Sequence, residues 1–458
     1  MFKDLQLSQL LEPLHAVLHG TDAQFSAVNT DSRKISPGQL FVALRGDFFD
    51  GHDYLADVAK RGAVAAVVEE FQAESPLPQL CVTDTRIALG QIALLNRAQF
   101  NGPTVAVTGS SGKTTVKEML ASICRCALGE TAVLATRGNL NNELGVPFTL
   151  LELNAQHRAA VVELGASRPG EIAYTAALVQ PSVAVISNAG MAHAGEFGGP
   201  EHIVLAKGEI LDGLAAEDTA VLNFDDPAFE QWRARNSACQ LLSFSTNDPA
   251  ADIYASDILM NAQGRKGFTL QGVAGECFIQ LAVLGMHNVS NALAAAAAAH
   301  ALGMPLSAIK QGLEGMKAIS GRSVVYECAN HIQLVDDSYN ANPASIRAAI
   351  DVLQTMPGQR ILVLGDMGEL GEWAEQEHAQ IGEYANGKVD AVFAVGPLMQ
   401  HAVAQYSGIS GHFLEQKSLI EALLTQVSGP ATLLIKGSRG AAMENVVSAL
   451  RTRLGEAL

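Results

Sequence analysis

The sequence predicts an α/β protein in three parts: a small α/β N-terminal domain, a central parallel sheet with appended antiparallel strands, and a Rossmann-like C-terminal domain. Three observations predict it. The chain has 458 residues, well beyond the usual size of one compact core. Apolar runs of strand length alternate with helical segments from Pro103 onward, and a second such series begins after Gly321-Arg322, the pattern of parallel sheets covered on both faces. Nearly half of the residues are apolar (48%) and only 17% are charged, with 42 glycines, which is the balance of a well-packed chain and not of a disordered one.

Residues 1–82 read as the first domain, with apolar strands at 40–44 and 63–68, a helix around 54–61 and a proline-bearing loop at 73–78. Residues 83–314 form the second. Buried strands are expected at 104–108, 132–135, 159–164 and 183–187, and the glycine-punctuated stretch 243–284 predicts a few antiparallel strands. An alanine-rich helix from about 288 to 302 then stops at Gly303. Residues 315–458 form the third domain, with strands at 332–335, 360–364, 391–395 and 431–435. No GxGxxG follows its first strand, so it is Rossmann-like without the dinucleotide fingerprint.

Thirty basic against 47 acidic residues give a formal charge of −17, a field that repels polyanions, so nucleic acid is not an expected partner. An anionic small ligand must instead meet a local cluster of donors, which a glycine loop or helix N-terminus provides without net charge. The six cysteines are scattered without CxxC or zinc-ligand spacing and read as free thiols of a reducing compartment. The first ten residues lack the apolar core of a signal peptide, and the alanine run 292–299 is too short to span a bilayer. A cytoplasmic protein without membrane insertion is expected.

The chemistry-bearing residues stand where strands end, the edge at which ligands bind in open parallel sheets. Strand 104–108 runs into Gly109-Ser110-Ser111-Gly112-Lys113-Thr114-Thr115 and then a helix. Its glycines let backbone N–H groups turn toward phosphates, Lys113 neutralises β/γ charge and the Thr114 hydroxyl can reach Mg²⁺. The general pattern G-x4-G-K-[ST] would place glycine at 107, where this chain has Val107. It is a shortened phosphate loop, and an ATP-using protein is the reading.

Glu163 ends the strand Val161-Val162-Glu163, and His193 follows the next strand; either can be structural or can serve a metal. Asn139, Asn141 and Asn142 precede Gly145-Val146-Pro147, as caps or as a grip on a polar ligand. Lys207 reads from position alone as a solvated helix lysine. In the third domain, Asp336-Asp337-Ser338-Tyr339-Asn340-Ala341-Asn342-Pro343 sits between a strand and a helix, with Arg322 upstream. That domain is expected to close over the nucleotide.

Taken together these motifs resemble the Mur ligase family along the whole chain. The short phosphate loop 108–115, the asparagine motif 139–147, Glu163, the Asn-x4-His of Asn188 and His193, Lys207, Asn291 and Arg322 all match it. These features are shared with folylpolyglutamate synthases. The narrower likeness, to the branch that joins D-alanyl-D-alanine to UDP-N-acetylmuramoyl-tripeptide, rests on 336–343 and on Leu364-Gly365-Asp366-Met367-Gly368-Glu369-Leu370-Gly371. The N-terminal Asp31-Ser32-Arg33, 38–46 and Asp50-Gly51-His52 are similar to the uridine-nucleotide-binding domain of such enzymes.

The resemblance implies an amide ligase that works through an acyl phosphate and yields ADP and phosphate, in the last cytoplasmic step of making the UDP-linked pentapeptide for peptidoglycan. Its implied catalytic residues are Lys113, Glu163, His193 and Lys207. ATP would be bound by 109–115, Asn291, Arg322 and Asp337, and the UDP-linked substrate by Asp31, Ser32, Arg33, Asn139, Asn141 and Asn142. Two Mg²⁺ ions would be held by Thr114, Glu163, His193 and Lys207, the last as a carbamate. The first domain would take the UDP-sugar peptide and the third the dipeptide, in a monomer.

Overall fold

A computed structural model describes all residues except 2, 191–193, 262–263, 428 and 456–458. The chain separates into two compact units: Met1–Ala106 with Leu128–Ala166 and Glu171–Val183, and Val107–Ala127 with Ser167–Gly170 and Ala184–Leu458. Three main sheets organise the described residues, in agreement with the α/β class read from the sequence.

The first sheet holds β1 (Val17–His19), β2 (Ala27–Asn29), β3 (Gln39–Val42), β4 (Ala65–Val68) and β5 (Gln79–Cys81) in the order β1-β5-β4-β3-β2. Only the β1–β5 pair is antiparallel. Helix α1 (Leu55–Lys60) covers one face, burying Leu55 and Val58 beside Phe41 and Val68. Helix α2 (Thr85–Arg97) follows, its first turn capped by the Asp84 carboxylate.

The second sheet contains β6 (Thr104–Thr108), β7 (Val133–Ala135), β8 (Ala159–Glu163), β9 (Val183–Ile186), β10 (Thr219–Asn223), β11 (Gln240–Ser245), β12 (Ile253–Met260), β13 (Arg265–Gly272) and β14 (Cys277–Leu284). Their order is β7-β8-β6-β9-β10-β11-β12-β13-β14. Between them run α3 (Lys113–Leu128), α4 (Gly145–Leu151), α5 (Glu171–Val179), α6 (Ala194–Phe197), α7 (Pro200–Gly208) and α8 (Phe229–Arg235), followed by α9 (Met286–Ala301) and α10 (Leu306–Glu314). The few antiparallel strands expected within 243–284 are β12, β13 and β14. β11 pairs parallel to β10 across all five residues from Thr219 to Asn223, because α8 provides the crossover that parallel neighbours require. The run Ala292–Ala299 is fully buried, as a helix apolar on every side must be, and Gly303 ends the segment at φ +71°.

The third sheet is built from β15 (Val324–Cys328), β16 (Ile332–Asp337), β17 (Gln359–Gly365), β18 (Ala391–Val395), β19 (Ile409–Phe413) and β20 (Ala431–Lys436), in the order β15-β16-β20-β17-β18-β19. Four of these strands were legible in the sequence. The antiparallel edge β15, whose short apolar run is only partly buried, and the half-exposed, polar-interrupted β19 were not. Helices α11 (Pro343–Gln354), α12 (Ala374–Ala385) and α13 (Met399–Gln405) bury one face, and α14 (Gln416–Gln426) and α15 (Glu444–Leu454) the other. Among the described residues no helix is long and apolar enough to cross a membrane.

His378 on α12 is fully buried, and its Nε2 accepts a hydrogen bond from the Met367 N–H at 3.0 Å. Its Nδ1 lies 2.6 Å from the Ala374 carbonyl, so the neutral ring carries its proton there. Burial pushes the imidazole pKa below its ordinary value. The unfolded chain therefore takes up a proton below about pH 6.5 that the folded chain refuses, and stability present above that pH is lost as pH falls. Urea midpoints should drop more steeply between pH 7 and 5 for the natural chain than for His378→Gln. Equal slopes would show that this ring does not govern the acid limb.

Candidate functional site

The loop after β6 folds as it does because two positions cannot hold a side chain. Gly109 (φ +145°) and Gly112 (φ +81°) adopt backbone angles that favour glycine. A β-carbon on the first would collide with Ser187 Oγ, and one on the second with Asn291 Oδ1. The turn is then stitched to the end of β9. Ser110 N donates to the Asn188 carbonyl and Ser111 N to Asn188 Oδ1, both at 3.0 Å, while Asn188 Nδ2 returns a bond to the Ser111 carbonyl at 3.0 Å. Ser187 Oγ donates to the same carbonyl at 2.6 Å. Lys113 opens α3 and curls its ammonium over the loop, 2.7 Å from the Gly109 carbonyl.

Residues of the third sheet reach this loop. Arg322 Nη2 donates to Thr114 Oγ1 at 3.1 Å, with its guanidinium 4.4 Å from the Tyr339 ring centroid. Asn342 caps α11 through its Oδ1 and gives its Nδ2 to Ser111 Oγ at 2.9 Å. Asn291 is buried on α9, bonded to Asn288 Oδ1 at 2.9 Å and seated against Gly112. The structure therefore brings the loop, Asn291 and Arg322 together.

Asp337 ends β16 in register with Lys436 at the end of β20. Lys436 Nζ lies 2.6 Å from Asp337 Oδ2 and 2.9 Å from the Asn340 carbonyl, while Ser323 N donates to Asp337 Oδ1 at 3.1 Å. Lys436 was missed in the sequence, while Asn342 and Asn188 stood there only as members of their motifs, without these contacts. Each closes a strand or opens a helix, a positional signal that Gly112 and Lys113 carried more visibly.

Lys207, near the end of α7, is only 1% exposed and stands 5.1 Å from the Phe197 ring centroid. The solvated-lysine reading is thus corrected: α7 packs this side chain inward. His193 lies outside the described residues.

In the other compact unit, Glu163 is buried at the end of β8, its backbone N–H bonded to Thr136 Oγ1 at 2.9 Å. Asn141 Nδ2 donates to Glu163 Oε1 at 2.8 Å, Asn141 N to the Asn139 carbonyl at 2.8 Å, and Gly145 N to Asn142 Oδ1 at 2.9 Å. Asn142 therefore braces the turn that leads into α4, and Asn141 is a carboxylate partner. Asp31 takes both the backbone N–H and the guanidinium of Arg33, which hold its carboxyl well below the usual range. Ser32 completes that exposed turn. Among the described residues no group of three or more His, Cys, Asp or Glu side chains could hold a metal ion.

A parallel sheet carrying a glycine loop that opens a helix, with Lys and Thr in the first turn, defines a phosphate-binding α/β nucleotide enzyme. Three family models match the chain: Mur ligase family, catalytic domain, over residues 24–98; Mur ligase middle domain over 107–299; and Mur ligase, glutamate ligase domain, over 321–439. This chain belongs to the Mur ligase family. It is 44% identical over 449 residues to the UDP-N-acetylmuramoyl-tripeptide--D-alanyl-D-alanine ligase of Escherichia coli, covering 97% of this chain and 98% of that one. The Bacillus subtilis ligase of the same name is 34% identical over 446 residues, covering 95% and 93%. Among solved structures, a MurF crystal structure from Acinetobacter baumannii superposes with a TM-score of 0.93 at 38% identity, covering 98% and 99%. The Thermotoga maritima MurF ligase in complex with ADP gives 0.85 at 29% identity, covering 93% and 97%.

Gly112→Ala should destabilise the chain by about 1–3 kcal/mol through its positive φ and the collision with Asn291. Asn291→Ala should relieve part of that cost in a double-mutant cycle read by urea unfolding. Costs additive to within about 0.5 kcal/mol would show that the two residues do not press on each other.

Proposed function

We propose that this chain joins D-alanyl-D-alanine to UDP-N-acetylmuramoyl-tripeptide with ATP as the driving substrate. The observation that carries this is the near-complete alignment with ligases of that name, at an identity that extends through both the phosphate-loop half and the C-terminal half. The chain is an ATP-dependent ligase. A carboxylate is a poor electrophile because oxide cannot leave. A terminal carboxylate oxygen of the tripeptide attacks the γ-phosphorus, ADP departs, and the acyl phosphate forms. The dipeptide amine then attacks the acyl carbon, phosphate leaves, and the amide remains.

The residue assignments are part of the same proposal. Lys113 and the N–H groups of residues 109–115 would hold the ATP phosphates, and their placement at the opening of α3 supports this. Asn291, Arg322 and Asp337 would complete the nucleotide site. Asp31, Ser32, Arg33, Asn139, Asn141 and Asn142 would serve the UDP-linked substrate. The proposed domains are 1–82 for that substrate, 83–314 for ATP, and 315–458 for closure and the dipeptide.

The donor types would suit Mg²⁺, since Thr114 and Glu163 carry hard oxygen atoms and no thiolate. With His193 and Lys207 they would hold two ions, which neutralise charge between the two anions that must meet. Carbamylation of Lys207, in which its amine adds CO₂ and loses a proton, would turn a repelling ammonium into an oxygen ligand. A cytoplasmic monomer is proposed too; six cysteines scattered without CxxC spacing suit a reducing compartment.

ADP release measured over a matrix of UDP-peptides and amines should be highest with the tripeptide and D-alanyl-D-alanine. Faster turnover with glutamate or a free diamino acid would replace this reading with another amide ligase. Lys207→Ala should lower kcat by about 100-fold or more, with partial rescue by short carboxylic acids. An unmodified lysine by mass spectrometry at high bicarbonate, or no rescue, would remove the carbamate.

A further inference from the structure

The segment 364–371 resembles one found in the D-alanyl-D-alanine-adding branch of the family, yet the proposed steps give it no role. It is anchored firmly within its own part of the fold. The Asp366 carboxylate accepts hydrogen bonds from Met399 N at 2.9 Å and Leu398 N at 3.1 Å where α13 opens, and its carbonyl accepts from Ser438 N at 3.0 Å. Met367 donates its N–H to His378, and the side chains of Met367 and Leu370 are buried in the core beneath the third sheet.

What this anchored segment turns outward is backbone. Glu369 and Gly371 adopt φ of +63° and +56°, and the Glu369 carbonyl accepts a hydrogen bond from Gly195 N at 3.0 Å. Gly195 and Gly371 meet with no side chain between them. A β-carbon on Gly195 would lie 2.6 Å from Gly371 N, and one on Gly371 would lie 2.9 Å from Gly195 Cα. Trp373 continues the contact, its Cη2 4.0 Å from where a β-carbon on Gly199 would stand.

The element being touched gains little from its own hydrogen bonds. α6 is four residues long, too short to be stable by its internal hydrogen bonds, and the Gly198-Gly199 pair at φ +78° and +128° joins it to α7. Yet α6 carries Phe197, the ring beside which the Lys207 ammonium is packed.

We propose that Gly195 and Gly371 are positioning residues: segment 366–371 docks backbone to backbone on α6 and thereby sets where Phe197 holds Lys207. The inference rests on the reading of Lys207 as a reaction residue. Closure of the C-terminal part then does more than cover the nucleotide, because it fixes the position of a short helix that is followed by a glycine joint.

The test uses the full chain with Gly371→Asn, since asparagine tolerates a positive φ and adds only the intruding side chain. Expected are a kcat lower by on the order of 10–100-fold, KM values for ATP and the UDP-tripeptide within about twofold, and an unchanged unfolding temperature. Acrylamide quenching should rise at the same time, because Trp373 is half-buried while the second tryptophan, Trp232, is buried and stays dark to the quencher. Gly195→Ala reads the same contact from the other side if Gly371→Asn does not fold. Unchanged kcat, or a kcat loss that tracks unfolding with no change in Trp373 quenching, overturns the inference. A natural chain that makes no ADP in response to D-alanyl-D-alanine instead overturns the functional reading, and the quenching comparison still decides the docking.

Discussion

The site depends on the absence of two β-carbons. Gly109 is pressed against Ser187, and Gly112 against Asn291, so the loop between β6 and α3 can approach β9 and α9 only as bare backbone. That approach lets one side chain, Asn188, satisfy the N–H of Ser110 by its carbonyl and that of Ser111 by its amide oxygen. A loop held in this way is fixed before any phosphate arrives. Pre-ordering of this kind spares the entropy of organising donors at the moment of binding.

On that fixed loop the C-terminal part places Arg322 on Thr114 and Asn342 on Ser111. Each neutral or singly charged hydrogen bond contributes about 0.5–3 kcal/mol net. Their sum is small enough for the contacts to break and re-form within a catalytic cycle. Both hydroxyls belong to the residues that should meet the nucleotide, so arrival of ATP would exchange those partners and need not disrupt a packed core.

How much of this was legible in the sequence followed from how local the cause was. Strands β6, β8 and β20 were visible because buried parallel strands are nearly continuous apolar runs. The loop was visible because glycine spacing before a Lys-Thr pair is a backbone requirement. The burial of Lys207 was not, since α7 has no strongly one-sided apolar face and its lysine is turned inward by packing from elsewhere in the fold. The parallel pairing of β10 and β11 was hidden for a similar reason. Their crossover helix α8, Phe229–Arg235, carries a Trp among arginines and so gives a weak periodic signal. Lys436 and Asp337 are 99 residues apart, and only sheet register makes them neighbours.

These distant pairs carry a common logic. Asp337 is shared by Ser323 and Lys436, Glu163 is met by Asn141, and Lys113 lies on the carbonyls of its own loop. Polar groups at the sheet edges are thus bonded to one another, as buried or half-buried groups must be. Ligand binding at such a site is an exchange of hydrogen bonds, and its free energy is the difference between two satisfied arrangements. A phosphate gains here because it brings charge to donors that otherwise face neutral carbonyls, and charge-assisted bonds are about twice as strong. An uncharged mimic of the same shape would bring no such gain, so an edge used in the proposed way would favour anions even though the chain as a whole carries a formal charge of −17.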